Sequence, residues 1–164
     1  MIAALDVDYD EGSQSAKAAA VVFAQWQATE PISEYTVQCS DISGYIPGEF
    51  FKRELPCLKS VLETIQKPLD LTIIDGYVSL GDKPGLGMHL WEALDGKVPV
   101  IGIAKTQFYS ADAIEITRGT SQAPLYVTAV SIHPAEAAKN VISMAGEFRI
   151  PAMLKRVDQL ARAR

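Results

Sequence analysis

Three apolar runs joined by short polar links open the chain, and they restrict what it can build. Residues 1–9 hold Ile2, Ala3, Ala4, Leu5 and Val7; Lys17–Trp26 reads KAAAVVFAQW; Ser33–Cys39 reads SEYTVQC. The link Asp10–Ser15 is rich in Asp, Gly and Ser, the residues of tight turns. Strand-length apolar runs with such connections predict an antiparallel meander.

The rest of the chain alternates. Ile42–Gly48 contains two glycines and a proline and reads as a loop. From Glu49 to Ile65 the pattern turns helical, with Phe50, Leu58, Val61, Leu62 and Ile65 on one face. Pro56 either kinks this helix or lies in the first turn of one that starts near Leu55. Leu69–Ile74 is a short buried strand ending at Asp75-Gly76, followed by a glycine-rich loop and a helix from about Leu86 to Leu94. Val98–Ala104, Ala113–Thr117 and Leu125–Ser131 read as strands; Pro134–Ala145 and Ala152–Ala163 read as helices. Three hairpin strands followed by alternating strands and helices predict an α/β chain with helices packed on a mixed sheet. The order is ribonuclease-H-like, and 164 residues suit a single domain over 1–164.

Composition narrows the function. At 48% hydrophobic and 21% charged residues the chain can fill a core. No apolar run approaches the roughly 18 residues of a membrane helix. The start, MIAALDVDYDEG, has no basic region and does not read as a secretory signal. Cys39 and Cys57 are too few for a disulfide scaffold and suit reduced thiols in a cytoplasmic protein. With His89 and His133 as its only histidines, the chain cannot build a many-histidine metal site. Residues 1–50 carry eight acids against the single base Lys17, whereas the remainder is slightly basic. That imbalance argues against non-specific nucleic-acid binding, yet a metal-dependent nuclease needs acids by construction. GLGMHL at Gly85–Leu90 lacks the third glycine of a dinucleotide fingerprint, and AKT at Ala104–Thr106 lacks the glycines of a phosphate loop. No histidine motif accompanies the serines, so a hydrolase triad is unsupported.

The remaining candidates are acids and a loop. Asp6 lies amid apolar residues of a strand, where an ionised carboxylate is costly without a partner. Asp75 ends a second apolar strand. Two such carboxylates repel unless a cation joins them, which suggests a metal site; the simpler alternatives are a turn-capping Asp6 and a strand-ending Asp75. GYIPGEFFKRE at Gly44–Glu54 exposes Tyr45 and Ile46 before the Pro47-Gly48 turn and places Glu54 in the following helix. Taken alone, Tyr45 reads as structural and Glu54 as solvated. Lys105 follows the apolar run VIGIA, as a surface lysine or a site residue.

Four blocks in order resemble the endonuclease V (deoxyinosine 3′ endonuclease) family: ALDVDYD at Ala4–Asp10, YIPGEFFKRE at Tyr45–Glu54, IIDG at Ile73–Gly76 and PVIGIAKT at Pro99–Thr106. Weaker similarity continues from Pro124–Ile132 to Leu154–Ala161. The resemblance implies that Asp6, Glu54 and Asp75 are metal-binding carboxylates, that Lys105 is an active-site lysine, and that Tyr45, Ile46, Pro47 and Gly48 form a wedge between bases. Asp158 falls near a late residue close to the family's metal site. The implied activity is Mg²⁺-dependent cleavage, with Mn²⁺ as substitute, 3′ to deoxyinosine in DNA or inosine in RNA, without an obligate protein partner. One departure stands out. Where the family has His-Pro-Arg after the Asp-Gly step, this chain reads GYVSLGDKPG, with Gly81 in the histidine's place. Two other readings stay open: a non-catalytic nucleic-acid-binding relative that keeps the metal site, and a nuclease for a different structural substrate.

Overall fold

A computed structural model describes residues 1–40, 51–109 and 111–164. The elements run β1 (Ile2–Asp10), β2 (Ser15–Phe23), β3 (Ser33–Cys39), α1 (Phe51–Thr64), β4 (Leu71–Asp75), β5 (Ser79–Leu80), β6 (Lys83–Pro84), α2 (Leu86–Ala93), β7 (Val100–Ala104), β8 (Ile114–Ile116), β9 (Leu125–Val130), α3 (Pro134–Ser143) and α4 (Ala152–Arg162). Seven strands form one mixed sheet in the order β3-β2-β1-β4-β7-β9-β8. The first three make the expected meander, paired from Ile2↔Phe23 to Asp10↔Ser15 and from Ala16↔Cys39 to Val22↔Ser33. β4 then joins β1 in parallel, and β7 joins β4 in parallel.

Three details differ from the sequence reading. β2 spans Ser15–Phe23 rather than Lys17–Trp26, because its ladder with β1 persists down to the turn and the chain turns at Gln25–Ala28. α1 runs through Pro56 in its second turn instead of starting near it. A two-residue hairpin, β5–β6, interrupts the loop before α2. It is too short to leave a periodic signature, and it turns at Gly81-Asp82 with Gly81 at φ +71°, a conformation that favours glycine.

The central strands of the sheet are buried on both faces, which explains their nearly continuous apolar runs, whereas β3 at the edge alternates half-buried and exposed residues. Ala3, Leu5, Ala18, Ala20 and Val22 meet Cys57, Leu58 and Val61 of α1 and Leu90 of α2. The alternate residues Ile2, Ala4, Ala19, Val21, Ile73, Ile101 and Ile103 meet Ala137 and Val141 of α3 and Met153, Val157 and Ala161 of α4. The alanines of β1 and β2 are almost wholly buried and let helices approach closely. Gly102 serves a similar end: a Cβ there would lie 2.5 Å from the Gly76 carbonyl oxygen and 2.8 Å from Thr128 Oγ1. Only glycine lets the segment after Asp75 lie against β7, where the Val78 N–H donates to Thr128 Oγ1 at 2.9 Å. Among the described residues, no helix is long and apolar enough to cross a membrane.

Candidate active site

The period-two alternation of strands brings the candidate residues together. Asp6 follows Ala4 on the face covered by α3 and α4, and Asp75 follows Ile73 on that same face. The parallel register pairs Ala4 with Ile73, so two residues further on Asp6 comes alongside Asp75. Asp75 pairs with Ile103, and two residues beyond Ile103, just past β7, stands Lys105. Its Nζ lies 3.7 Å from Asp75 Oδ2, with both side chains about half exposed. An exposed pair of this kind adds little to stability.

Glu54 arrives from the opposite face. It sits in the first turn of α1 and, with Asp6 and Asp75, lines a small hollow walled by Leu5, Leu58 and Ile74. The preceding Arg53 stacks its guanidinium 4.0 Å from the centre of the Tyr9 ring. This cation–π contact fastens the start of α1 to β1. Burial pushes the Glu54 carboxyl up to about 7; the charge of Asp75 adds to this and Arg53 opposes it.

Asp6 is also pushed up to about 7. Burial is the main cause, followed by the charge of Asp75; the charge and hydrogen bond of Asp158 add to it. The Val7 N–H opposes the shift by donating to Asp6 Oδ1 at 2.9 Å. Asp158 projects from α4 and is held at 2.8 Å by Arg162 Nε. The loosely aligned late acid of the sequence thus belongs to the same cluster as Asp6.

Among the described residues, no three His, Cys, Asp or Glu side chains stand close enough together to hold a metal ion. Asp6, Glu54 and Asp75 instead share a concavity, where the charge of Asp75 disfavours the ionised forms of Asp6 and Glu54. A divalent cation relieves that repulsion, and an all-carboxylate donor set suits a hard ion such as Mg²⁺ or Mn²⁺. Asp6, Glu54 and Asp75 fit such an ion chemically. Tyr45, Ile46, Pro47 and Gly48 lie outside the described residues.

Residues that sequence reasoning did not single out hold this cluster in place. Arg118 is only 5% exposed, and its guanidinium donates to the carbonyls of Met144, Gly146, Phe148 and Arg149. It thereby pins the connection between α3 and α4. From that connection Arg149 Nη2 donates to the carbonyls of Lys105 and Pro124, each at 2.7 Å. On the other side, the Tyr77 hydroxyl donates to the Thr106 carbonyl at 2.6 Å and accepts from the Phe108 N–H at 2.9 Å. The segment carrying Lys105 is braced from two directions. Arg149 belongs to the slightly basic remainder of the chain, and nothing local marks Arg118.

A mixed sheet whose adjacent parallel strands present Asp6 and Asp75, met by a helix-borne Glu54, defines a ribonuclease-H-like α/β protein. The family model for endonuclease V matches residues 1–141. The chain belongs to the endonuclease V family, a family of nucleases. It is 29% identical over 184 residues to the endonuclease V of Streptomyces avermitilis, covering 98% of this chain and 79% of that protein. A crystal structure of endonuclease V from Streptomyces avermitilis matches it with a TM-score of 0.79 at 26% identity, over 98% of this chain and 79% of the other. The endonuclease V of Ciona intestinalis, crystallised with a 23mer DNA containing an inosine followed by a ribo-adenosine, shares the fold. Its TM-score is 0.83 at 16% identity, over 98% of this chain and 83% of the other.

Proposed function

We propose that residues 1–164 act as one metal-dependent endonuclease domain that cuts a phosphodiester bond 3′ to deoxyinosine in DNA, or to inosine in RNA. The observation that carries this reading is the convergence of Asp6, Glu54 and Asp75 on one hollow, with Lys105 beside Asp75. The inosine-containing DNA bound by the Ciona relative supports the substrate class. Asp6, Glu54 and Asp75 would hold the ion, Mg²⁺ or Mn²⁺, with Asp158 beside them. When bound, the ion supplies charge neutralisation at the phosphate and acidifies water. Lys105 offsets negative charge that develops on the phosphate, from a position preset by Asp75 and by the braced backbone around it. Tyr45 to Gly48 would act as the wedge that helps an inosine leave its stack, a step made easier by the weakness of inosine pairing. Two reduced cysteines, both free here, suit a cytoplasmic setting.

A second reading, a nucleic-acid-binding relative without turnover, draws on one observation. Gly81-Asp82 forms a tight turn where the family carries a histidine, so a polar contact of the family is missing. The retained acids and Lys105 favour catalysis. Incubation with end-labelled oligonucleotides containing inosine, uracil or no modification, in Mg²⁺ and in chelator, separates the two. Metal-dependent cutting 3′ to inosine is expected; tight binding without a cut in any metal would establish the second reading.

A further inference from the structure

The acids stand between two hollows. One, on the α1 side, is the small one containing Glu54. The other, on the α4 side, has a volume of about 300 Å³ and runs from Asp6, Asp75 and Lys105 to Phe148, Leu154 and Lys155. The larger hollow is not needed to hold an ion, yet it opens directly onto the acids. Its walls away from them are mainly apolar, with Ile103, Ile150 and Leu154 among them.

Phe148 gives this hollow its character. It is a large aromatic left 70% exposed. Its backbone is nonetheless held: Arg118 donates to its carbonyl at 2.7 Å and to three other carbonyls of the same connection. The next residue, Arg149, ties that connection to the backbone of Lys105. Lys155 Nζ stands 6.0 Å from the centre of the Phe148 ring. An exposed ring on a pinned backbone, with an ammonium beside it and an apolar cavity behind it, has the chemistry of a stacking platform for an unpaired base. Lys105 stands at the acidic end of the hollow, where the cut phosphate of the proposed reaction would lie, and Lys155 stands beside the exposed ring. A nucleotide next to the cut can therefore lay its base on the apolar wall with its other phosphate toward Lys155.

We propose that this hollow is a nucleobase subsite, in which a base flanking the cleaved phosphodiester stacks on Phe148 while its phosphate meets Lys155. The inference rests on the nuclease reading above and adds a contact that reads no sequence, since every base offers a π-face. It predicts that the strand is gripped on the α4 side of the acids as well as at the lesion.

The test places 2-aminopurine, in turn, at each position flanking the inosine of a single-stranded oligonucleotide, with the full chain in chelator so that no cutting occurs. One flanking position should be strongly quenched by the wild type. Phe148→Ala should lose that quenching and Phe148→Trp should keep it. With Mg²⁺, Phe148→Ala should raise KM about tenfold with kcat little changed, in keeping with the loss of one base–aromatic stack; Lys155→Gln should raise KM in the same sense. Quenching and KM that are the same in Phe148→Ala and wild type, while the wild type cuts at inosine, overturn the subsite alone. Phe148 buried by self-association, seen as a dimer that Phe148→Ala dissolves, also overturns it. A wild type that neither binds nor cuts inosine oligonucleotides removes the nuclease reading, and the subsite with it.

Discussion

Arg149 donates a 2.7 Å hydrogen bond to the backbone carbonyl of Lys105, 44 positions earlier in the chain, and so holds the residue whose ammonium faces Asp75. The lysine is a placed charge on a braced segment rather than a free surface side chain. Lys105→Ala should fold, bind metal and bind substrate, yet cut about 10²–10³-fold more slowly in single turnover, the usual loss for a charged transition-state contact. Arg149→Ala should show a smaller loss in the same step. Normal single-turnover rates in Lys105→Ala would return Lys105 to the surface.

Stability in chelator should fall as pH rises from about 4 to about 7. Asp6 and Glu54 both have carboxyls raised to about 7 by burial and by Asp75. Through that window the folded chain holds protons that the unfolded chain has released, so the slope of stability against pH is negative. Below it both states are protonated, and above it the full penalty of the buried charges is present. Asp6→Asn should flatten part of the slope and be at least as stable as wild type at pH 8. Equal slopes of Tm against pH in the two proteins would contradict the raised carboxyl.

Metal should reverse that penalty. At about 100 times its dissociation constant, an ion that binds only the folded chain adds roughly 2.7 kcal/mol. Tm should rise with Mg²⁺ or Mn²⁺ beyond the effect of matched monovalent salt, and Asp6→Asn should gain little. The same metal-dependent rise in both proteins would remove Asp6 from the ligands.

Arg118→Met should destabilise by about 1–3 kcal/mol or more, because the carbonyls it serves lose a charged donor inside the protein. Lysine should rescue this only in part, since it lacks the planar fork of donors. Urea denaturation measures the loss, and a Tm unchanged in Arg118→Met would show that the connection between α3 and α4 holds without it.

Tyr45→Ala should weaken discrimination of inosine DNA by about tenfold or more while leaving the metal-dependent rise in Tm intact, given roughly 1–3 kcal/mol for a base–aromatic stack. Unchanged binding and cutting in this variant would take Tyr45 out of the site.

Much of this molecule was legible in the chain because its signals are local. Strand alternation has a period of two, so Asp6 among Ile2, Ala4 and Leu5, and Asp75 after Ile73 and Ile74, announced carboxylates on a buried sheet. Glu54, at the end of the block YIPGEFFKRE, and Lys105, in the run VIGIAKT, pointed to the same cluster and family. The hairpin β5–β6 escaped notice because two-residue strands have no period to read. Resemblance put Asp158 near the site and the tertiary structure couples it to Asp6; only the tertiary structure decided that Arg118 and Arg149 brace the segment of Lys105 and that Phe148 borders a hollow beside the acids. These contacts join segments far apart in the chain. Their partners are mostly backbone carbonyls, which every residue carries and no residue type reveals, so they come into being only when α3 and α4 close over the sheet.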